Sequence, residues 1–121
     1  MKNYLIDVKT VEMLPHSFET MYKILSNVIA FSGDLYCIDY HGVEHGVFMG
    51  YEDGIYHIKI IINNFNWDYD IIELIEDLSN NFARYKIFNI ASDVKEVDAP
   101  TPIPENYIEH YYVNSYSIDE E

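Results

Sequence analysis

Residues 41–45 read His-Gly-Val-Glu-His, the spacing H-x-x-E-H. On a helix, His41 and His45 would share a face and could hold a zinc ion, with Glu44 beside them as general base. That chemistry needs a helix through the segment and a third ligand. Gly42 and Gly46 interrupt it, Val43 is β-branched, and the flanking residues alternate with period two. His16, His57 and His110 fall in no pattern that demands a metal. The expectation is a turn at His41-Gly42, His45 on an apolar strand face near a sheet end, and no metal or other cofactor.

Two further constellations are weaker. Counted from Asn66, Asp68, Asp70 and Asp77 stand at positions 3, 5 and 12, a calcium-loop spacing. Ile71 fills the position that needs glycine and begins an apolar helical stripe, so capping carboxylates at a helix start explain the spacing better. The single cysteine, Cys37, reads as a half-buried thiol on a strand with no histidine partner in place. No nucleophile elbow and no phosphate-cradling glycine loop is present. The sequence carries no family signature, and the expectation is a protein without enzymatic activity.

The elements that position these residues follow from periodicity. Residues 4–9 alternate as a strand. Phe18, Met21, Tyr22, Leu25, Val28 and Ile29 recur at helical spacing after Ser17, which predicts a helix over about 17–31 with Gly33 as its stop. Residues 35–62 read as an antiparallel three-strand meander, with turns at His41-Gly42 and Asp53-Gly54. Two-residue loops in both hairpins place Tyr36, Ile38, Tyr40, Val43, His45, Val47, Met49, Ile58 and Ile60 on one face. They place Asp39 beside Glu44 on the other. A second helix is predicted over about 68–84, capped by Asp68, with its stripe at Ile71, Leu74, Ile75, Leu78 and Phe82. The stretch from Tyr85 to Ala91 suggests a further strand, and the prolines of residues 98–104 keep that stretch extended. The fold class is therefore α+β, one domain over residues 1–121, ending in an acidic, tyrosine-rich segment over about 98–121.

Charge is the strongest functional signal. The chain has 121 residues, with 21 acidic side chains against 7 basic ones and a formal net charge of −14. Direct binding to nucleic acid or to an anionic membrane is disfavoured, because both need lysine and arginine. No apolar run is long enough to span a membrane. One cysteine and an N-terminus without a signal-type apolar core favour the cytoplasm. Asp70, Glu73 and Asp77 form an acidic stripe on the second helix. Glu105, Tyr107, Glu109, Tyr111 and Tyr112 interleave carboxylates and phenols near the C-terminus. Such surfaces suit a basic partner, since guanidinium both pairs with carboxylate and stacks on rings.

These residues form the expected partner-binding site, and the expected function is a small acidic inhibitor. It would occupy the nucleic-acid-binding surface of a nuclease or similar protein by imitating phosphate charge, as in anti-defence or nuclease-immunity proteins. The alternatives are an interaction or immunity module with a non-nuclease partner, and a small-ligand-binding protein or enzyme. Exposed strand edges and tyrosines would permit a homodimer.

Overall fold

A computed structural model describes residues 1–66, 68 and 70–103. Seven elements follow in order: β1 Lys2–Thr10, α1 Phe18–Ala30, α2 Gly33–Tyr40, β2 Glu44–Glu52, β3 Ile55–Phe65, α3 Ile71–Ala83 and β4 Ile90–Val97. The four strands form one antiparallel sheet in the order β2-β3-β1-β4. Each helical crossover returns the chain beyond a strand that is inserted between its two ends, the split β-α-β arrangement of ferredoxin-like folds. The fold is α+β, as the alternation of period two and period 3.6 predicts. Among the described residues no helix is long and apolar enough to cross a membrane.

The sheet is assembled by a strict choice of faces. Tyr4, Ile6 and Val8 of β1 lie opposite Ile62, Ile60 and Ile58 of β3. Those in turn lie opposite His45, Val47 and Met49 of β2. This face carries the core, in which Val8, Ile58 and Ile62 are fully buried. Against it pack Met21, Leu25 and Val28 of α1, Leu35 and Ile38 of α2, and Leu74, Leu78 and Phe82 of α3. Each such aliphatic side chain stabilises the fold by about 1.5–3 kcal/mol through removal from water. The β2–β3 hairpin turns on Asp53 (φ 52°) and Gly54 (φ 83°), both left-handed as a type I′ turn requires. Its pairs Tyr51↔Tyr56, Met49↔Ile58 and Val47↔Ile60 are those the two-residue loop predicts. At the far end of β3 the register with β1 shifts, and Asn64 takes φ 57°. The Asn64 N–H donates to Asn3 Oδ1 at 2.9 Å, which satisfies a donor that the bulge removes from the ladder.

Three expectations are corrected. Residues 35–40 are not the first strand of a meander; they lie in helix α2. Leu35 and Ile38 are buried while Tyr36 and Tyr40 are 65% and 74% exposed, a spacing of three where the strand reading needed two. Ser32 makes the difference, because its Oγ accepts from Leu35 N at 3.1 Å and caps the helix. Gly33 accordingly opens α2 rather than only ending α1, and Asp39 is on a helix, not beside Glu44. Second, α3 is capped by Asp70, whose carboxylate accepts from Ile72 N at 3.0 Å, and not by Asp68. Third, residues 85–89 are not strand. Lys86 N donates to the Ala83 carbonyl and Ile87 N to the Phe82 carbonyl, with Lys86 at φ 62°. This is a Schellman closure, and it buries Ile87 in the core that holds Phe82. Strand β4 starts only at Ile90.

The helical assignment of residues 33–40 separates two neighbours that the strand reading would put on one face. Ile38→Ala is expected to cost about 2–5 kcal/mol, and Tyr40→Ala no more than about 0.5 kcal/mol, by urea denaturation. Equal losses at both positions would return the segment to a strand.

Candidate functional site

The helical layer concentrates the negative charge. Helices α2 and α3 contain Asp34, Asp39, Glu73, Glu76 and Asp77, with Asp70 as a cap, and no lysine or arginine. Asp39, Asp70, Glu73 and Glu76 are exposed. Tyr36 and Tyr40, one turn apart on α2, stack with ring centroids 6.2 Å apart and planes 25° apart. This exposed pair was hidden from sequence reasoning because a strand would have turned it into the core. Leu35 and Ile38 spaced three apart, after a Ser-Gly-Asp start, were the signal that could have found it.

The predicted stripe is divided by its own geometry. Asp77 is half-buried, and its Oδ2 accepts from Ser32 Oγ at 2.5 Å and from Asp34 N at 3.4 Å. It therefore joins α3 to the N-terminus of α2, where N–H groups that have no acceptor within the helix and the helix dipole favour an anion. Asp70 is committed to its cap but stays exposed, and Glu73 points to solvent one turn from Asp77. Glu105, Tyr107, Glu109, Tyr111 and Tyr112 lie outside the described residues.

The H-x-x-E-H residues are split between elements. His41 is the exposed C-cap of α2. His45 is buried on β2, and its Nδ1–H donates to the Val43 carbonyl at 2.7 Å. Glu44 accepts from Asn63 Nδ2 at 2.7 Å. Among the described residues no three His, Cys, Asp or Glu side chains are grouped to hold a metal ion. Asp68 and Asp70 precede a helix rather than lining a loop. Cys37 is exposed on α2, not half-buried on a strand.

The second face of the sheet has a different chemistry. Across its middle run Phe48, Lys59, Asp7 and Asp93 on successive strands. Lys59 Nζ lies 5.8 Å from the Phe48 ring centre. Asp7 accepts from the His57 ring at 2.9 Å. Leu5, Ile61 and Lys95 join these residues around a cavity of about 260 Å³.

At the hairpin end, Phe18, Tyr22, Tyr51 and Tyr56 form an aromatic cluster, with Phe18 and Tyr22 centroids 4.5 Å apart and Tyr51 and Tyr56 4.7 Å apart. Burial raises the phenols of Tyr22 and Tyr56 above their ordinary value, and the nearby Tyr51 and Tyr22 phenols add to the effect at Tyr56. Both rings therefore stay neutral through the physiological range.

No protein-family model and no curated protein matches the chain. Among solved structures it is similar to the hypothetical protein ORF119 from Sulfolobus islandicus rod-shaped virus 1. That likeness has 11% identity and a TM-score of 0.46, and covers 98% of this chain and 84% of that one. It is also similar to a formyltetrahydrofolate deformylase from Pseudomonas putida, with 12% identity and a TM-score of 0.38, over 77% of this chain and 28% of that one. Likenesses of this size carry no functional argument.

Asp77 and Glu73 separate structure from surface. Asp77→Ala leaves Ser32 Oγ and Asp34 N without their acceptor and is expected to cost about 1–3 kcal/mol. Glu73→Ala is expected to change stability by no more than about 0.5 kcal/mol. Urea denaturation of the two variants checks both values, and an Asp77→Ala variant as stable as Glu73→Ala would exclude the clamp.

Proposed function

We propose that the chain is a small, acidic, non-enzymatic inhibitor that acts in the cytoplasm on a partner with a basic, nucleic-acid-binding surface. The observation that carries this reading is the pair of packed helices α2 and α3, which hold five carboxylates and no basic side chain. Carboxylates on a rigid helical face can stand where phosphates would stand in the partner's channel. Exposed Tyr36 and Tyr40 add flat surfaces on which arginine guanidinium groups can stack. The same charge disfavours direct binding to nucleic acid. A partner of this kind fits an anti-defence or nuclease-immunity role, with encounter accelerated by electrostatic steering.

A second reading rests on the hairpin end, where Phe18 and Tyr51 are 54% and 44% exposed beside Met13 at 79%. An apolar patch there favours an interaction module whose partner is not a nucleic-acid enzyme. The two readings differ in salt dependence.

The test is capture from an extract of the native cells, with wild-type chain and with the triple variant Asp39→Lys, Glu73→Lys, Glu76→Lys. The expected result is a nucleic-acid-binding protein retained at low salt, released at high salt, displaced by added oligonucleotide and lost by the variant. A partner held equally by the variant and at high salt would overturn the inhibitor reading in favour of the apolar patch.

A further inference from the structure

The open face of the sheet differs from the rest of the molecule in its charge balance. It carries three lysines, Lys9, Lys59 and Lys95, in a chain whose net charge is −14. Four carboxylates share the face with them, those of Asp7, Glu44, Glu52 and Asp93. Two rows of residues cross its middle from β2 to β4. One runs Phe48, Lys59, Asp7, Asp93, and the next runs Gly46, Ile61, Leu5, Lys95. Leu5, Phe48 and Ile61 are only half-buried, around the cavity of about 260 Å³. The central charged pair is held in place from within the sheet. Asp7, with 32% of its side chain exposed, accepts from the His57 ring at 2.9 Å, and Lys59 lies over the Phe48 ring. One end of the face is closed by the chain itself. There Thr101 N donates to Asn63 Oδ1 at 2.9 Å, and Ile103 lies on Gly46, where a Cβ would meet its Cγ2 at 2.7 Å. The isoleucine takes the place of the side chain that Gly46 lacks.

We propose that this face is a dimer interface and that its occupant is a second copy of the chain. The two copies pack sheet to sheet about a twofold axis that runs along the strands, between β3 and β1. The two rows are self-complementary under that rotation. Strand β3 of one copy lies over β1 of the other, so Lys59 meets Asp7 of the other copy, and symmetry forms the reciprocal contact. Ile61 and Leu5 meet in the same reciprocal way and give the contact an apolar centre. Lys95 comes over Gly46 of the other copy, one row from Glu44. Net charge selects the same face. Two chains of −14 repel, and contact through α2 and α3 would press their carboxylates together. Packed sheets stand about 10 Å apart and a helix is about 10 Å across, so this arrangement holds the two outer acidic layers at least about 30 Å apart. That is several times the Debye length of about 8 Å at physiological salt. The dimer presents an acidic helical face on each of its two sides, and the inference does not depend on what those faces bind.

The experiment is sedimentation equilibrium of the full chain at physiological salt. It compares wild type, Lys59→Asp, Asp7→Lys and an equimolar mixture of the two variants. Wild type is expected to form a concentration-dependent dimer. Each variant sets like charges against each other twice in its own homodimer, and is expected to self-associate at least about tenfold more weakly. In the mixture every changed position meets an opposite charge, so a heterodimer of near wild-type affinity is expected. Asp7 and Lys59 are also neighbours within one sheet. Mixing cannot repair that internal pair, so rescue reads the contact between copies alone. A second measurement needs no substitution: wild-type chains, half of them isotope-labelled, are expected to show methyl NOEs between Leu5 of one copy and Ile61 of the other. A monomeric wild type would overturn the proposal and leave the face to another occupant. A dimer unweakened in both variants would place the interface at the hairpin end or a sheet edge and overturn it equally. So would folded variants that fail to associate on mixing, or a dimer without the NOEs.

Discussion

One constraint organises the molecule: β1, β2 and β3 commit their core-forming positions to the same sheet face. The side-chain period along a strand is two, so a one-residue slip would carry Ile58, Ile60 and Ile62 out of the core together, at several kcal/mol. With the register held, all three helices must pack on one side, and the other side keeps its own composition. Two distinct surfaces result. The helical side carries the carboxylates of α2 and α3, and the open side mixes Lys9, Lys59 and Lys95 with Asp7, Glu44, Glu52 and Asp93, inside a chain whose net charge is −14.

The acidic helical side requires a local solution to a physical problem. Helices α2 and α3 bring carboxylates together with no basic residue on either element, which opposes their packing. Asp77 relieves part of this by meeting the N-terminus of α2, where Ser32 Oγ and Asp34 N supply donors. One carboxylate thereby becomes a joint between helices, while Glu73 and Glu76 stay in water, where solvent and salt screen them. The stacked Tyr36 and Tyr40 lie on the element this joint supports.

Where local pattern and tertiary demand agreed, the fold was legible in the sequence. The α1 stripe, its Ser17 cap, the α3 stripe and the β2–β3 register all follow from periodicity and from the Asp-Gly turn. Legibility failed where a short apolar run fits both periods. Residues 35–40 alternate well enough for a strand, yet a serine cap and a carboxylate 45 positions later in the chain hold them as a helix. Residues 85–89 failed similarly, since their apolar spacing comes from a Schellman closure with a non-glycine residue in the left-handed region. The site shared these limits. Glu73 was visible as an exposed acid, whereas the internal role of Asp77 depends on Ser32, a contact no spacing rule reveals. Tyr36 and Tyr40 became candidates only with the helix.

The histidines of H-x-x-E-H belong to a helix cap and a buried strand position, which moves functional interest to the carboxylates and their aromatic neighbours. The most direct measurement is an NMR titration of the isotope-labelled full chain with an arginine-rich peptide at low and high salt. The acidic-aromatic reading predicts the largest amide shifts at Tyr36, Asp39, Tyr40, Glu73 and Glu76, and their decline as salt rises. Shifts confined to the hairpin end or to the open sheet face, or unchanged by salt, would contradict it.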